Sequence, residues 1–411
     1  MMYTTSRTRP NPVRPVQEEH IVLIEPQEPA PAAPYFEARE FAQRLQAVRA
    51  RMAVLGIDTL LVSAPENIFY LSGLDHWGYF APHVLIVPAT GELTLVARAM
   101  EKVTISNQVL NACFEGHHDG ETAADAVARV LKGRALKSVG IEAWSSGLPY
   151  GLAEALKQLM PGASWPDASG LVDEIRMVKS PAEQALMRAA AKVSDAGAMA
   201  AIAAIAEGES ERHVAAEAER AMIEAGGTFP GFGPFIRSTR RLGEEHTTWT
   251  SDRFGDGDAV FLELTGCVAR YHAPLGRLIH VGHASKEAHE MAAVTHAAFD
   301  AVLGAVHAGA LFRDVYAAWQ AVVDRAGLPH YRRHHCGYVV GIGFPPSWTG
   351  GNKVTGLRHD SEIEVKAGMS FHVLSWLMGA GRGDYFISNA VLLGAEGPEV
   401  LTRTPSGVTV R

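Results

Sequence analysis

From Phe36 onward, apolar positions recur at helix and strand periods. Phe41, Leu45, Val48, Met52 and Leu55 are spaced by three and four residues, which predicts an amphipathic helix that Gly56 terminates. Thr59-Leu-Leu-Val-Ser and His83-Val-Leu-Ile-Val-Pro are short apolar runs of the kind that form buried strands, and Glu92-Leu-Thr-Leu-Val follows them. A helix near Ala123–Leu131 then precedes another apolar strand, Ser138-Val-Gly-Ile-Glu. Helices and strands in alternation predict a compact α/β domain that ends near Leu171.

The next segment carries a helix-start signature: Ser180 as N-cap, Pro181 in the first helical position and Glu183 at N3. Two alanine-rich helices, roughly Ala182–Ala206 and Glu209–Ala225, precede strands over Phe232–Ser238, Asp258–Val268 and Tyr271–Val281. The short turn at Ala269 makes a hairpin of the last two. Helices near Lys286–His307 and Leu311–Ala326 and a strand set from Tyr338 onward complete the pattern. Two helices followed by strands, twice over, predict a duplicated α+β half. Residues 1–35 contain Pro10, Pro12, Pro15, Pro26, Pro29, Pro31 and Pro34 with little apolar periodicity, the composition of a disordered extension. The expected units are therefore 1–35, 36–172 and 173–411.

Composition narrows the function classes. Among 411 residues, 37 Lys+Arg against 45 Asp+Glu leave a net charge of −8, without the basic surplus that nucleic-acid binding requires. The most apolar helical stretch, Ala189–Ala206, is interrupted by Lys192 and Asp195, so no membrane span is expected. Residues 1–34 hold no apolar core of a secretory leader. Cys113, Cys267 and Cys336 cannot form a disulfide framework. Together these features point to the cytoplasm.

The usual nucleophile-elbow, phosphate-loop and zinc-helix signatures are absent. Polar residues instead interrupt apolar strands at four places. Glu244-Glu-His-Thr-Thr-Trp contains His246, and Phe261-Leu-Glu-Leu-Thr sets Glu263 in an otherwise apolar run. A carboxylate there is either paired or functional, because burying an unpaired charge is costly. Arg270-Tyr-His-Ala-Pro lies across the hairpin and contains His272. The last is His335-Cys-Gly-Tyr-Val-Val-Gly-Ile-Gly-Phe-Pro-Pro-Ser-Trp, which contains Tyr338 and is followed by His372 in Gly368-Met-Ser-Phe-His.

These runs, in this order and after Arg176-Met-Val-Lys-Ser-Pro-Ala-Glu, resemble the creatinase, prolidase and methionine-aminopeptidase family, and within it the ectoine hydrolases. The resemblance implies a creatinase-like α/β N-terminal domain and an α+β pita-bread catalytic domain. It places the family's paired-metal ligand positions on Glu263, Pro274, Tyr338, His372 and Asn389. Proline offers no side-chain donor, and Tyr and Asn suit a paired divalent site poorly, so neither metal nor cofactor is expected.

The implied reaction is metal-independent hydrolysis of a C–N bond in a cyclic amidine such as ectoine. Glu263 would act as nucleophile or general base, His246 as the acid–base group, and His372, the third catalytic residue, would orient or share the proton. Tyr338, His272, Arg270, Asn389, Trp77 and Tyr79 are the expected substrate contacts. The last two lie in Asn67-Ile-Phe-Tyr-Leu-Ser-Gly-Leu-Asp-His-Trp-Gly-Tyr-Phe. That aromatic segment would cover the neighbour's site in a homodimer. The competing readings are a creatinase-type amidinohydrolase, an Xaa-Pro aminopeptidase-like metallohydrolase and a non-catalytic binding module.

Overall fold

A computed structural model describes residues 35–411. The expected disordered extension falls, up to residue 34, outside the described residues.

The N-terminal unit begins with α1 (Ala38–Leu55), whose apolar stripe buries Phe41, Val48 and Met52. Gly56 ends the helix in the left-handed conformation, φ 66°. There follow β1 (Thr59–Val62), α2 (Pro65–Ser72), β2 (Val84–Pro88), β3 (Leu93–Arg98), α3 (Lys102–Gln108), β4 (Ala112–His117), α4 (Ala123–Leu131), β5 (Val139–Ile141), α5 (Tyr150–Leu159) and α6 (Leu171–Arg176). The strands form one mixed sheet in the order β4-β3-β2-β1-β5.

The second unit opens with α7 (Pro181–Ala204), capped as expected by reciprocal hydrogen bonds between Ser180 and Glu183. Then come α8 (Glu211–Glu224), β6 (Phe235–Arg237), β7 (Ala259–Val268), β8 (Tyr271–His280), α9 (Lys286–Ala305), α10 (Phe312–Arg325), β9 (Gly337–Val339), β10 (Ser370–Leu377), β11 (Tyr385–Gly394), β12 (Gly397–Val400) and β13 (Thr409–Val410). The main sheet runs β6-β7-β8-β11-β10-β9. Helix pairs α7–α8 and α9–α10, each followed by strands, give the two α+β halves that the pattern implies.

Sheet and helices approach closely where small residues permit it. Ser194 of α7 donates to the Ala273 carbonyl at 2.6 Å and accepts from the Gly266 amide at 2.7 Å. Any side chain at Gly266 would collide with the α7 backbone. Ala269 (φ 48°) and Arg270 (φ 64°) form the two-residue turn of the β7–β8 hairpin, with two consecutive positive φ angles that match the strand twist.

Buried polar contacts join the two units. Glu183 accepts a 2.7 Å hydrogen bond from the Tyr271 hydroxyl and lies 3.8 Å from the Arg44 guanidinium. Asn352 donates to Asp173 of α6 at 2.7 Å. Glu66 accepts from the Phe344 amide at 3.3 Å. Among the described residues no helix is long and apolar enough to cross a membrane.

Candidate active site

A cavity of about 440 Å³ opens on one face of the second sheet. Its walls are largely aromatic: Phe232, Phe235, Phe261, Tyr338, Trp348 and Trp376. Glu263 reaches the cavity from the middle of β7, where every residue from Val260 to Cys267 is buried. Its Oε1 is buried without a hydrogen-bond partner. Burial, which outweighs the opposing pull of Arg237, raises the carboxyl to about 8. Burial thus favours the neutral acid form of Glu263 at pH 7.

Behind Glu263 runs a chain of hydrogen bonds. Trp348 Nε1, which can only donate, donates to the Tyr338 hydroxyl at 2.9 Å. The Tyr338 proton is then free to point to His372 Nδ1, 2.8 Å away, which leaves the His372 proton on Nε2 facing Ser388 Oγ at 2.7 Å. His372 is completely buried, and burial first, with Arg277 adding to it, holds it well below the usual imidazole range. Its Nε2 lies 3.8 Å from Glu263 Oε1, beyond a hydrogen bond. Both nitrogens of this imidazole are thus engaged by protein partners.

His246 lines the same cavity from the exposed loop after β6, with its own backbone at φ 54°. Its ring is 6.1 Å from Phe235 and 6.4 Å from Phe232. The structure thus brings His246, Glu263, His372 and Tyr338 together.

The other expected contacts lie elsewhere. Arg270 is buried at the junction of the two units, over the Phe344 ring and 3.8 Å from Asp75, and donates to the Phe229 carbonyl and to Cys267 Sγ. His272 accepts from the Gly231 amide at 2.9 Å through Nε2 and meets the Arg270 carbonyl at 2.9 Å through Nδ1. Both residues hold the hairpin and its neighbours in place. Tyr79 packs among His76, His83 and Phe344. Trp77 leans edge-on against Phe229, with 54% of its surface exposed. Neither Tyr79 nor Trp77 lines this chain's own cavity.

Asn389 is displaced by one residue from the position expected of it. Val373 pairs with Asn389 and Leu374 with Ser388 in the β10–β11 ladder, so alternation turns Ser388 towards His372 and Asn389 to the opposite face. There Asn389 accepts from Arg277 and Thr402, both at 2.9 Å.

A paired metal centre does not fit this donor set. Pro274 has no donor, Asn389 faces away, His372 has no free nitrogen, and Leu374 lines the cavity on the same β10 face as His372. Glu263 is left as a single carboxyl. Among the described residues no three His, Cys, Asp or Glu side chains converge as a metal site.

Several lining residues escape the sequence reading. Arg237 is buried on β6, across the ladder from Phe261. Arg333 stacks 4.6 Å over Trp376, with its Nη1 3.7 Å from Glu245. His335 is pushed down to about 3, chiefly by burial, and presents a buried, unpartnered Nδ1. Arg237 carries the same signal as Glu263, a charged residue inside an apolar strand. Arg333 and Glu245 lie in polar loops, where a charge is unremarked.

Residues 185–395 match metallopeptidase family M24, and residues 44–178 match the creatinase/prolidase N-terminal domain. The chain is similar to the ectoine hydrolase of Halomonas elongata, 27% identical over 92% of this chain and 98% of that protein. It is also similar to an Xaa-Pro dipeptidase of Pyrococcus horikoshii, 26% identical over 70% and 78% of the two chains. An Xaa-Pro dipeptidase structure from Bacillus anthracis superposes with a TM-score of 0.79 at 22% identity, covering 90% of this chain and all of that one. With its two-unit fold and matching segments, the chain belongs to metallopeptidase family M24, as a hydrolase built on the creatinase-type N-terminal domain and the pita-bread fold.

Proposed function

We propose that this protein hydrolyses a C–N bond of a small cyclic amidine of the ectoine type, without a paired metal centre. The observation that carries the reading is Glu263: one buried, unpartnered carboxyl, raised to about 8, in an aromatic cavity. A protonated amidine is a flat, delocalised cation that suits aromatic walls and favours ionisation of the carboxyl beside it. Its carbon is already electrophilic, so no Lewis acid is needed to polarise it.

Glu263 either adds to that carbon or deprotonates the water that does. In the first case the ring C–N bond breaks to leave an imidoyl group on the carboxylate, and water then adds to its carbon and releases the carboxylate. In both, the tetrahedral centre collapses with cleavage of a ring C–N bond, and one water has been added to give an open-chain amide and an amine. His246, at the mouth, can protonate the departing nitrogen. His372 is a positioning residue, held by Tyr338 and Ser388 behind the carboxyl. The similarity to the Halomonas elongata ectoine hydrolase supports the same reading. The Xaa-Pro peptidase alternative requires a ligand set that Pro274, Tyr338 and Asn389 do not provide.

The assembly we propose is a homodimer in which Trp77, exposed and outside its own cavity, reaches the partner's site. The catalytic proposal is tested by incubating purified protein with ectoine and related cyclic amidines and following the gain of one water by mass spectrometry, before and after dialysis against a strong chelator. Ring opening that survives dialysis is expected. No ring opening across the panel, or activity lost with the metal and restored by it, overturns the proposal.

A further inference from the structure

Arg237 is the unexplained charge of the cavity. It is 2% exposed, yet its Nε and Nη1 have no hydrogen-bond partner, and it lines the cavity. The guanidinium carbon sits 4.3 Å from the centre of the Phe261 ring. That contact offsets part of the desolvation cost but satisfies none of the N–H groups. Burial outweighs the carboxylates around it and lowers its affinity for a proton.

The other guanidinium groups lining the cavity each have a carboxylate within ion-pair distance, although Arg333 Nε is likewise buried without a hydrogen-bond partner. Arg333 faces Glu245 at 3.7 Å, and Arg358 is paired with Asp360 at 2.8 Å. Glu263 makes no hydrogen bond or ion pair with Arg237, and its own Oε1 is without a partner. The cavity therefore holds in Arg237 a desolvated, fork-shaped cation without a hydrogen-bond or ion-pair partner. Such a group is strongly biased towards a carboxylate, which can accept two parallel hydrogen bonds from it.

Its placement relative to Glu263 gives the spacing. Phe235 pairs with Glu263 and Arg237 with Phe261, so Arg237 and Glu263 are diagonal neighbours on one face of two adjacent strands. Diagonal neighbours are separated by about 7–8 Å between backbone positions, within reach of long side chains. A compact zwitterion can span the two.

We propose that Arg237 binds the carboxylate of the substrate, so that the site selects zwitterions carrying a carboxylate and a delocalised cation a few bonds apart. This deepens the cyclic-amidine reading and rests on it for the cationic half only. The carboxylate half stands on the orphaned guanidinium.

The test compares each ligand with its uncharged twin. Trp348 and Trp376 line the cavity, so their fluorescence reports occupancy without turnover. Ectoine and its carboxamide, and cyclohexanecarboxylate and its carboxamide, are titrated into wild-type protein and into Arg237→Met and Arg237→Gln. In wild type each acid is expected to bind about 100-fold more tightly than its amide, the range of a charge-assisted bidentate contact. Both variants should lose that preference while the amides bind as before. Equal binding of acid and amide to wild type overturns the proposal, as does an acid preference that survives in whichever variant folds. Acid preference that depends on Arg237 without any ring opening leaves the carboxylate site standing and defeats the hydrolase reading alone. Ring opening with no acid preference does the reverse.

Discussion

Replacing Glu263 with Gln should make the protein more stable and nearly inactive. The carboxyl has an ordinary value of 4.5 in the unfolded chain and about 8 in the fold. Below 4.5 both states hold the proton and the group has no effect on folding. Between the two values the unfolded chain releases a proton that the folded one keeps, so stability falls as pH rises. The loss amounts to about 1.4 kcal/mol per pH unit, reaching about 3 kcal/mol at pH 7 and levelling at about 5 kcal/mol above pH 8. Water reaching the open cavity screens part of this. Glutamine keeps the shape and cannot ionise, so Glu263→Gln removes the slope. Urea unfolding of both proteins at pH 5 and pH 8 isolates the effect, since every other titrating group is common to them. The variant should gain about 2–4 kcal/mol over wild type between those pH values, and lose at least ~10²–10⁴-fold in turnover. Profiles that stay parallel to within about 0.5 kcal/mol, the scatter of an ordinary surface change, would refute the buried-acid assignment.

Two further outcomes are expected. His246→Ala should keep the wild-type unfolding midpoint, because the side chain is exposed, and lose ~10²–10⁴-fold in turnover; a folded variant with more than about a tenth of wild-type activity removes His246 from the chemistry. Mixed dimers of Trp77→Ala and Glu263→Gln subunits should recover activity, since one pocket of each hybrid escapes both lesions, and verified hybrids without recovery would show that each subunit works alone.

What the sequence made legible follows from how local each signal is. Helix α7 is announced by its own first residues, Ser180, Pro181 and Glu183, and the hairpin by two long strands with two residues between them. Glu263 stands out because a carboxylate in an apolar strand violates the pattern around it. Helix α2 is buried from Glu66 to Ser72, so it has no polar face to reveal a period, and β4, only partly buried, reads as loop. The site residues misjudged are those whose role depends on register or on partners distant in sequence. A slip of one residue in β11 exchanges Ser388 for Asn389. Arg270 and His272 are close to Glu263 across the hairpin in sequence, but their side chains meet Asp75, Phe229 and Gly231 from other segments. Glu142 is by contrast a buried carboxyl with no catalytic setting: raised to about 7 by burial, it accepts from the Ser63 and Ala64 amides and from Asn67 at the start of α2.

That contrast also bears on the chemistry. Glu142 is fully engaged by donors, so its role ends with the helix it caps. Glu263 is as deeply placed but has an unpartnered oxygen, and the polar groups behind it are occupied with one another: Trp348 with Tyr338, Tyr338 with His372, His372 with Ser388. This chain of hydrogen bonds fixes a neutral imidazole and leaves no side-chain cation directly against the carboxyl. On the proposed reading the counter-charge arrives with the substrate. An amidinium entering beside Glu263 favours its ionised form, and the proton leaves as the cation binds. The carboxylate so formed is desolvated and lies next to an electrophilic carbon. The same binding event that neutralises the buried charge therefore creates the base or nucleophile that the reaction needs.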